Sequence, residues 1–74
     1  MWLLATYNIH MKQLGNRLIE LREARGLTRA QAAQQLHISI QTLTRWERGL
    51  SKRGIIYLTK FVRFYGVTYE YLLD

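Results

Sequence analysis

A chain of 74 residues has room for one small domain, and the absence of cysteine excludes disulfides and cysteine-based metal sites and suits a cytoplasmic protein. Its two histidines, His10 and His37, show no metal-ligand spacing and have no nucleophile or paired carboxylate nearby, so we expect no metal, no cofactor and no enzyme activity. The formal net charge of +6 favours an anionic partner.

The first ten residues, MWLLATYNIH, precede the helical pattern of the chain. They form too short an apolar run for a transmembrane helix and lack the basic flank of a signal peptide. Apolar residues at every second position, from Leu3 to Ile9, predict an extended, half-buried N-terminal arm over residues 1–10. An upstream start codon is the alternative origin of this segment, because Met11 stands where a minimal five-helix domain would begin.

Residues 11–74 show the spacing and the end signals of five helices. Leu14, Leu18 and Leu21 recur at helical spacing in the first, and Ile55, Leu58, Val62 and Tyr65 do so in the fourth. Three glycines followed by apolar residues predict the ends of the first, third and fourth helices: Gly26, Gly49 and Gly66. The predicted helices are Met11–Arg25, Arg29–Leu36, Ile40–Arg48, Ile55–Tyr65 and Tyr69–Asp74.

Polar residues mark where three of these helices begin. Thr28 and Gln31 have the spacing of a capping box at the start of the second helix. Ser39 is a suitable N-cap for the third helix, and Thr68 for the fifth. The second and third helices therefore form a pair joined by a short turn, an arrangement that can place the third helix in a DNA major groove.

Basic residues follow one another along the second half of the chain with no acidic residue between them: Arg48, Lys52, Arg53, Lys60 and Arg63. Such a run indicates a surface of one sign of charge. It fits either a binding site for nucleic acid or a solvated face that serves solubility, and charge alone does not separate the two.

Three segments of the chain resemble the lambda-repressor and Cro-like helix-turn-helix family, also called the Xre family: LIELREARGLTRAQAAQQLHIS, TLTRWERG and FVRFYGVTYEYLL. The resemblance covers Leu14 to Leu73. It implies a compact, all-α domain of five helices, in which the second and third form the helix-turn-helix. It also implies a structural pair between Arg22 and Glu47 that orients the first helix against the third.

Base reading is expected from the exposed positions of the third helix, since Leu43 and Trp46 face inward by periodicity. Gln41 can pair with adenine, and Arg45, one turn later, can pair with guanine. Ile40 stands where many relatives have a polar residue, and it either packs on a thymine methyl group or belongs to the core. The predicted base contacts are Ile40, Gln41, Thr42, Thr44 and Arg45.

Phosphate contacts are expected from basic residues around this helix pair: Arg17, Arg29, Arg48, Lys52 and Arg53. Arg29 stands where similar proteins often have a glutamine that touches phosphate, and arginine suits the same role. His37 replaces a glycine that is common in the turn of the family, and histidine tolerates a positive φ better than most residues.

The fourth helix has more apolar surface than one core stripe requires. Tyr57, Phe61 and Phe64 are spaced to form a second stripe beside the first, which predicts a surface for a homodimer or another protein partner. Deeper burial of these aromatic rings within a small core is the competing interpretation.

The sequence thus predicts a sequence-specific regulator of transcription, a repressor that binds double-stranded DNA as a dimer on a near-palindromic operator. An antitoxin of the same fold, which binds a toxin and its own operator, is the alternative. A peripheral membrane protein that inserts Trp2, Leu3, Leu4 and Tyr7 is disfavoured, because the basic residues near the helix pair are better placed for phosphodiesters.

Overall fold

The computed structural model describes residues 2–51 and 54–73, with the side chains of residues 11–51 and 54–73. This part of the chain forms helices and no strand, which confirms the all-α prediction. The five helices are α1 (Trp2–Ala24), α2 (Arg29–Leu36), α3 (Ile40–Glu47), α4 (Ile55–Tyr65) and α5 (Tyr69–Leu73).

The extended arm predicted for residues 1–10 is wrong for residues 2–10, which form the first turns of α1. Neither glycine nor proline occurs before Gly15, so nothing in the sequence interrupts a helix there. A helix already held by tertiary packing extends by one hydrogen bond for each residue it fixes, without a new nucleation step. The weak alternation of apolar residues therefore did not determine the local structure.

The predicted helix starts are confirmed by hydrogen bonds. The Gln31 amide donates to Thr28 Oγ1 at 3.1 Å, and the Thr28 amide donates to Gln31 Oε1 at 2.9 Å, which completes the capping box of α2. Ser39 Oγ accepts from the Thr42 amide at 3.0 Å at the start of α3. These caps satisfy amides that have no partner inside the helix and so define where α2 and α3 begin.

The predicted glycine stops also hold. Gly49 follows the last residues of α3 with a φ of +74°, and the Leu50 amide donates to the Arg45 carbonyl oxygen at 2.9 Å. This backward hydrogen bond belongs to the glycine-ended helix motif and turns the chain away after α3. Gly26 and Gly66 end α1 and α4 with the same backbone pattern.

Helix α1 crosses the C-terminal end of α3 at Gly15. A Cβ atom on Gly15 would lie 2.8 Å from the Trp46 carbonyl oxygen, so only glycine allows this approach without a backbone shift. The buried residues around this crossing include Leu14 and Leu18 of α1 and Leu43 and Trp46 of α3. One face of α3 is thereby fixed in the core, and the opposite face is left at the surface.

Helix α4 completes the core with Phe61 and Tyr65, which are buried. The Phe61 ring contacts the Trp46 ring edge-on, with centroids 5.4 Å apart. The sequence placed Ile55 in the core stripe of this helix, and that placement is wrong, because 64% of Ile55 is exposed. Apolar residues lie on most sides of α4, so periodicity alone did not select the buried side.

Candidate nucleic-acid interface

The outward face of α3 carries the polar residues that the sequence assigned to base reading. Gln41 and Arg45 are exposed, and Thr42 and Thr44 are half-buried. Ile40 at the first position of the helix is 48% exposed, so the alternative that places it in the core is wrong. Because Leu43 and Trp46 point into the core, these residues occupy one accessible side of a fixed helix.

The turn between α2 and α3 is tight although it contains no glycine. His37 adopts the left-handed conformation, with φ 59° and ψ 43°, and the Ile38 amide donates to the Ala33 carbonyl oxygen at 3.0 Å. Lys60 of α4 donates from Nζ to the Leu36 carbonyl oxygen at 3.2 Å. With Ala33 buried where the helices meet, these bonds set the orientation of α3 relative to α2.

The structure brings Arg22 of α1 and Glu47 of α3 together as a buried ion pair. Arg22 donates from Nε to Glu47 Oε2 at 2.8 Å and from Nη2 to Oε1 at 3.3 Å. Its Nη1 donates to the Leu27 carbonyl oxygen at 2.9 Å. A charge pair buried this deeply is tolerated because its polar atoms are hydrogen-bonded, and it fixes how α1 meets α3.

Arg29, the first residue of α2, forms a second ion pair with the Glu47 carboxylate. Its Nε donates to Glu47 Oε1 at 2.8 Å, while 43% of the Arg29 side chain stays exposed. Sequence reasoning missed this contact, because spacing in the chain contains no signal that residues 29 and 47 meet. The contact leaves a guanidinium at the surface beside the start of α2, where the helix dipole also favours anions.

The remaining predicted phosphate contacts do not share one location. Arg48 is exposed at the end of α3. Arg17 lies against α5 instead, since its Nη1 donates to the Tyr71 carbonyl oxygen at 2.9 Å and its guanidinium stacks on the Tyr71 ring at 5.6 Å. Lys52 and Arg53 lie outside the described residues.

The aromatic stripe predicted as a partner surface is largely part of the core. Phe61 is fully buried, so its assignment to that surface is wrong, and the competing interpretation of deeper burial holds for it. Tyr57 is half-buried against Trp46, and Phe64 is half-buried against Tyr65. The rings of Trp46, Tyr57 and Phe61 pack against one another where α3 meets α4, and such packing helps to stabilise a small chain without disulfides.

A different apolar surface is exposed around the connection between α3 and α4. Leu50 is 61% exposed and Ile56 is 71% exposed, next to Ile55. Gly54, Ile55, Ile56 and Tyr57 line a shallow groove at the start of α4. We refer to Leu50, Ile55 and Ile56 as the α3–α4 apolar patch.

Charge near the helix pair favours an anionic ligand. Neither α2 nor α3 has an acidic residue in its first turn, and the Glu47 carboxylate is entirely buried. Behind this surface, burial raises the pKa of Tyr65 to about 12, and the negative charge of Glu47 adds to the rise. The negative charge of Glu47 therefore acts within the core, while Arg29, Arg45 and Arg48 stay accessible.

No group of three or more His, Cys, Asp or Glu side chains in the described part of the chain could hold a metal ion. Among the described helices, none is long and apolar enough to cross a membrane.

Comparison with known protein families identifies the domain type. Residues 13–72 match the model of a protein family described as a helix-turn-helix domain. This range includes all of α2, α3 and α4 and most of α5. No curated protein and no solved structure matches the chain significantly.

Proposed function

The chain belongs to the helix-turn-helix domain family, whose members bind double-stranded DNA, and on this premise we propose that it is a sequence-specific repressor of transcription. The observation that carries the proposal is the exposed polar face of α3, which presents Gln41 and Arg45 opposite a buried face of Leu43 and Trp46. A helix held on one side by the core and polar on the other can enter a major groove as a rigid unit.

Base recognition is assigned to residues on successive turns of α3. Gln41 and Arg45 are one turn apart, so their Cα atoms are separated by about 6 Å along the helix axis. That distance lets the two side chains reach neighbouring base pairs, with bidentate contacts to adenine from Gln41 and to guanine from Arg45. The exposed Ile40 can pack on a thymine methyl group.

Backbone contacts are assigned to basic residues on both sides of α3. Arg29 at the start of α2 and Arg48 at the end of α3 are exposed, and Lys52 and Arg53 follow in the sequence. Contacts of this kind set the register of the protein on the duplex and carry no sequence information. Arg17 is the weakest member of the predicted set, because its guanidinium is engaged with Tyr71 of α5.

We assign dimerisation to the α3–α4 apolar patch, with a second copy of the chain as its occupant. Three large apolar side chains that are exposed within one short stretch of the chain favour burial in an interface. The patch begins three residues after the end of α3, so a twofold contact there would fix the separation of the two α3 helices. Half-sites about 34 Å apart would follow if that separation matches one helical turn of DNA.

Substitution of Ile56 by glutamate tests this interface. A charge in the patch would oppose association, so we expect a monomer in sedimentation and a loss of cooperative binding to a two-half-site duplex. Gln35→Glu, at an exposed position of α2, is the matched control. A toxin as occupant, as in an antitoxin, would instead leave self-association unchanged while a protein encoded next to the gene copurifies with the wild type and not with Ile56→Glu.

The experiment that tests the function is selection of tight binders from a randomised duplex library by the purified chain at near-physiological salt. Enrichment of a twofold motif supports a dimeric operator-binding protein. A reporter placed downstream of the enriched motif then shows repression if the proposal is correct. Retention of DNA without any motif would contradict sequence-specific binding.

A further inference from the structure

The carboxylate of Glu47 is shared by two guanidinium groups that lie in different environments. The Glu47 side chain is 0% exposed, and the side chains of Arg22 and Arg29 are 10% and 43% exposed. Glu47 Oε1 accepts from both arginines, and Oε2 accepts from Arg22. The three side chains together carry a net charge of +1, so the carboxylate does not neutralise the group.

The two arginines use their nitrogen atoms differently. Arg22 bonds through Nε, Nη1 and Nη2 to Glu47 and to the Leu27 carbonyl oxygen. Arg29 bonds to Glu47 through Nε only, and among the described residues no acceptor contacts its Nη groups. The Nη edge is the part of a guanidinium that remains accessible when Nε faces inward, and its two donors match the spacing of phosphate oxygens.

We propose that Glu47 is a positioning residue for DNA binding, which holds Arg29 by Nε so that its Nη groups face a backbone phosphate. The inference rests on the proposed function and extends it to a buried residue that does not itself touch DNA. Holding the guanidinium in advance lowers the side-chain entropy lost on binding. The same carboxylate fixes α1 through Arg22, so packing of the core and contact with the DNA backbone depend on one group.

A double-mutant cycle on the affinity for a selected duplex tests the coupling. Glu47→Gln keeps the size of the side chain and removes its charge, and Arg29→Gln removes the phosphate contact while the Arg22–Glu47 pair remains. We expect Glu47→Gln to lower affinity about fivefold when Arg29 is present, and less than twofold in the Arg29→Gln background. Affinities are compared under conditions where circular dichroism shows each variant folded.

The salt dependence separates a contact with phosphate from a structural role. Arg29→Gln should lower the slope of log affinity against log salt concentration by about 0.9, the value for one phosphate contact on duplex DNA. Arg63→Gln, which removes an exposed positive charge on α4, is the matched control and should change the slope much less. An unchanged slope in Arg29→Gln would overturn the proposal.

A spectroscopic measurement covers the case in which Glu47→Gln does not fold. The Nε–H resonance of Arg29, assigned by its loss in Arg29→Lys, is recorded in the wild-type protein with and without DNA. Persistence of slow hydrogen exchange at Nε in the complex supports positioning by Glu47. Loss of that protection on binding would mean that phosphate displaces the carboxylate, and an additive mutant cycle would likewise overturn the proposal. Failure of the wild type to bind any duplex would instead contradict the proposed function itself.

Discussion

Tyr65 places its hydroxyl group in the core, where no described residue forms a hydrogen bond with it. Burial and the charge of Glu47 disfavour the tyrosinate, which raises the pKa to about 12 from an unperturbed value of 10.0. The folded state therefore holds this proton more tightly than the unfolded state does. The contribution of Tyr65 to stability is complete below about pH 10 and is lost as the pH rises toward about 12.

We expect Tyr65→Phe to leave the free energy of unfolding near its wild-type value at pH 7, because the hydroxyl has no partner to lose. Above pH 10 the wild type should lose more stability than the variant, because only the wild type can release the Tyr65 proton on unfolding. Urea denaturation at pH 7 and at several values between pH 9.5 and 11.5 measures the difference. The same decline in both proteins would contradict the shifted pKa.

Gly15 is where one added methyl group should have the largest effect. Its Cβ would meet backbone atoms of Glu47 and Trp46, which cannot rotate away as a side chain can. We expect Gly15→Ala to lower the free energy of unfolding by about 1–3 kcal/mol, the range for overpacking of a well-packed core. Gly54→Ala is the control, because a Cβ there meets nothing within 4 Å. Equal thermal stability of the two variants would contradict the close crossing of α1 and α3.

A residue's role could be predicted from the sequence where that role depends on near neighbours in the chain. The caps at Thr28 and Ser39 follow from residue types at fixed short spacing, and the structure contains both. The burial of Phe61 and the exposure of Ile55 depend on which side of α4 meets Trp46, and that side is selected by the packing of helices distant in sequence. The second ion pair of Glu47 was missed for the same reason.

Helix α3 is short, and its structure depends on how its ends are capped. It has eight residues, too few for a stable isolated helix, so its structure relies on packing and on caps. Ser39 accepts from the Thr42 amide and donates its hydroxyl to Thr42 Oγ1 at 2.8 Å. The cap thus orders Thr42 as well as the first turn that carries Ile40 and Gln41.

We expect Ser39→Ala to lower the free energy of unfolding by about 1 kcal/mol, as is typical for loss of an N-cap. DNA affinity should also fall, because the first turn of α3 would fray where we propose that bases are read. Gln35→Ala, at an exposed position inside α2, is the control. Thermal denaturation and binding to the selected duplex measure the two effects. An unchanged affinity with reduced stability would mean that the first turn does not contact DNA.

Helix α1 was predicted only in part from local sequence patterns. Its C-terminal half was predicted from the spacing of three leucines, and its end from Gly26. Its start at Trp2 was not predicted, because alternating apolar residues suggested a strand-like arm. The length of a helix depends on what nucleates it elsewhere, which a short window of sequence does not contain.

Across the domain, the packed helices surround a buried ion-pair network and leave the proposed recognition surface exposed. Helix α1 packs against α3, α4 packs against α2, and α5 packs against α1 and α4. The ion pairs of Glu47 tie α1, α2 and α3 together. The polar side of α3 and the start of α2 stay at the surface. The membership in a helix-turn-helix family and the five-helix fold were accessible from sequence, whereas the location of the α3–α4 apolar patch required the packed domain.

In the proposed function, α3 reads base pairs through Arg45. The most direct measurement compares the affinities of the wild type and Arg45→Ala for the selected duplex and for a set of duplexes that each differ at one base pair. Arg45→Ala should lose about 1–3 kcal/mol of discrimination at one base pair and keep it at the others, the range for a bidentate arginine contact with guanine. Arg63→Ala should keep the wild-type pattern, and Lys52→Ala should weaken all duplexes alike. An Arg45→Ala variant that weakens every duplex equally, with discrimination unchanged, would contradict the placement of α3 in the major groove.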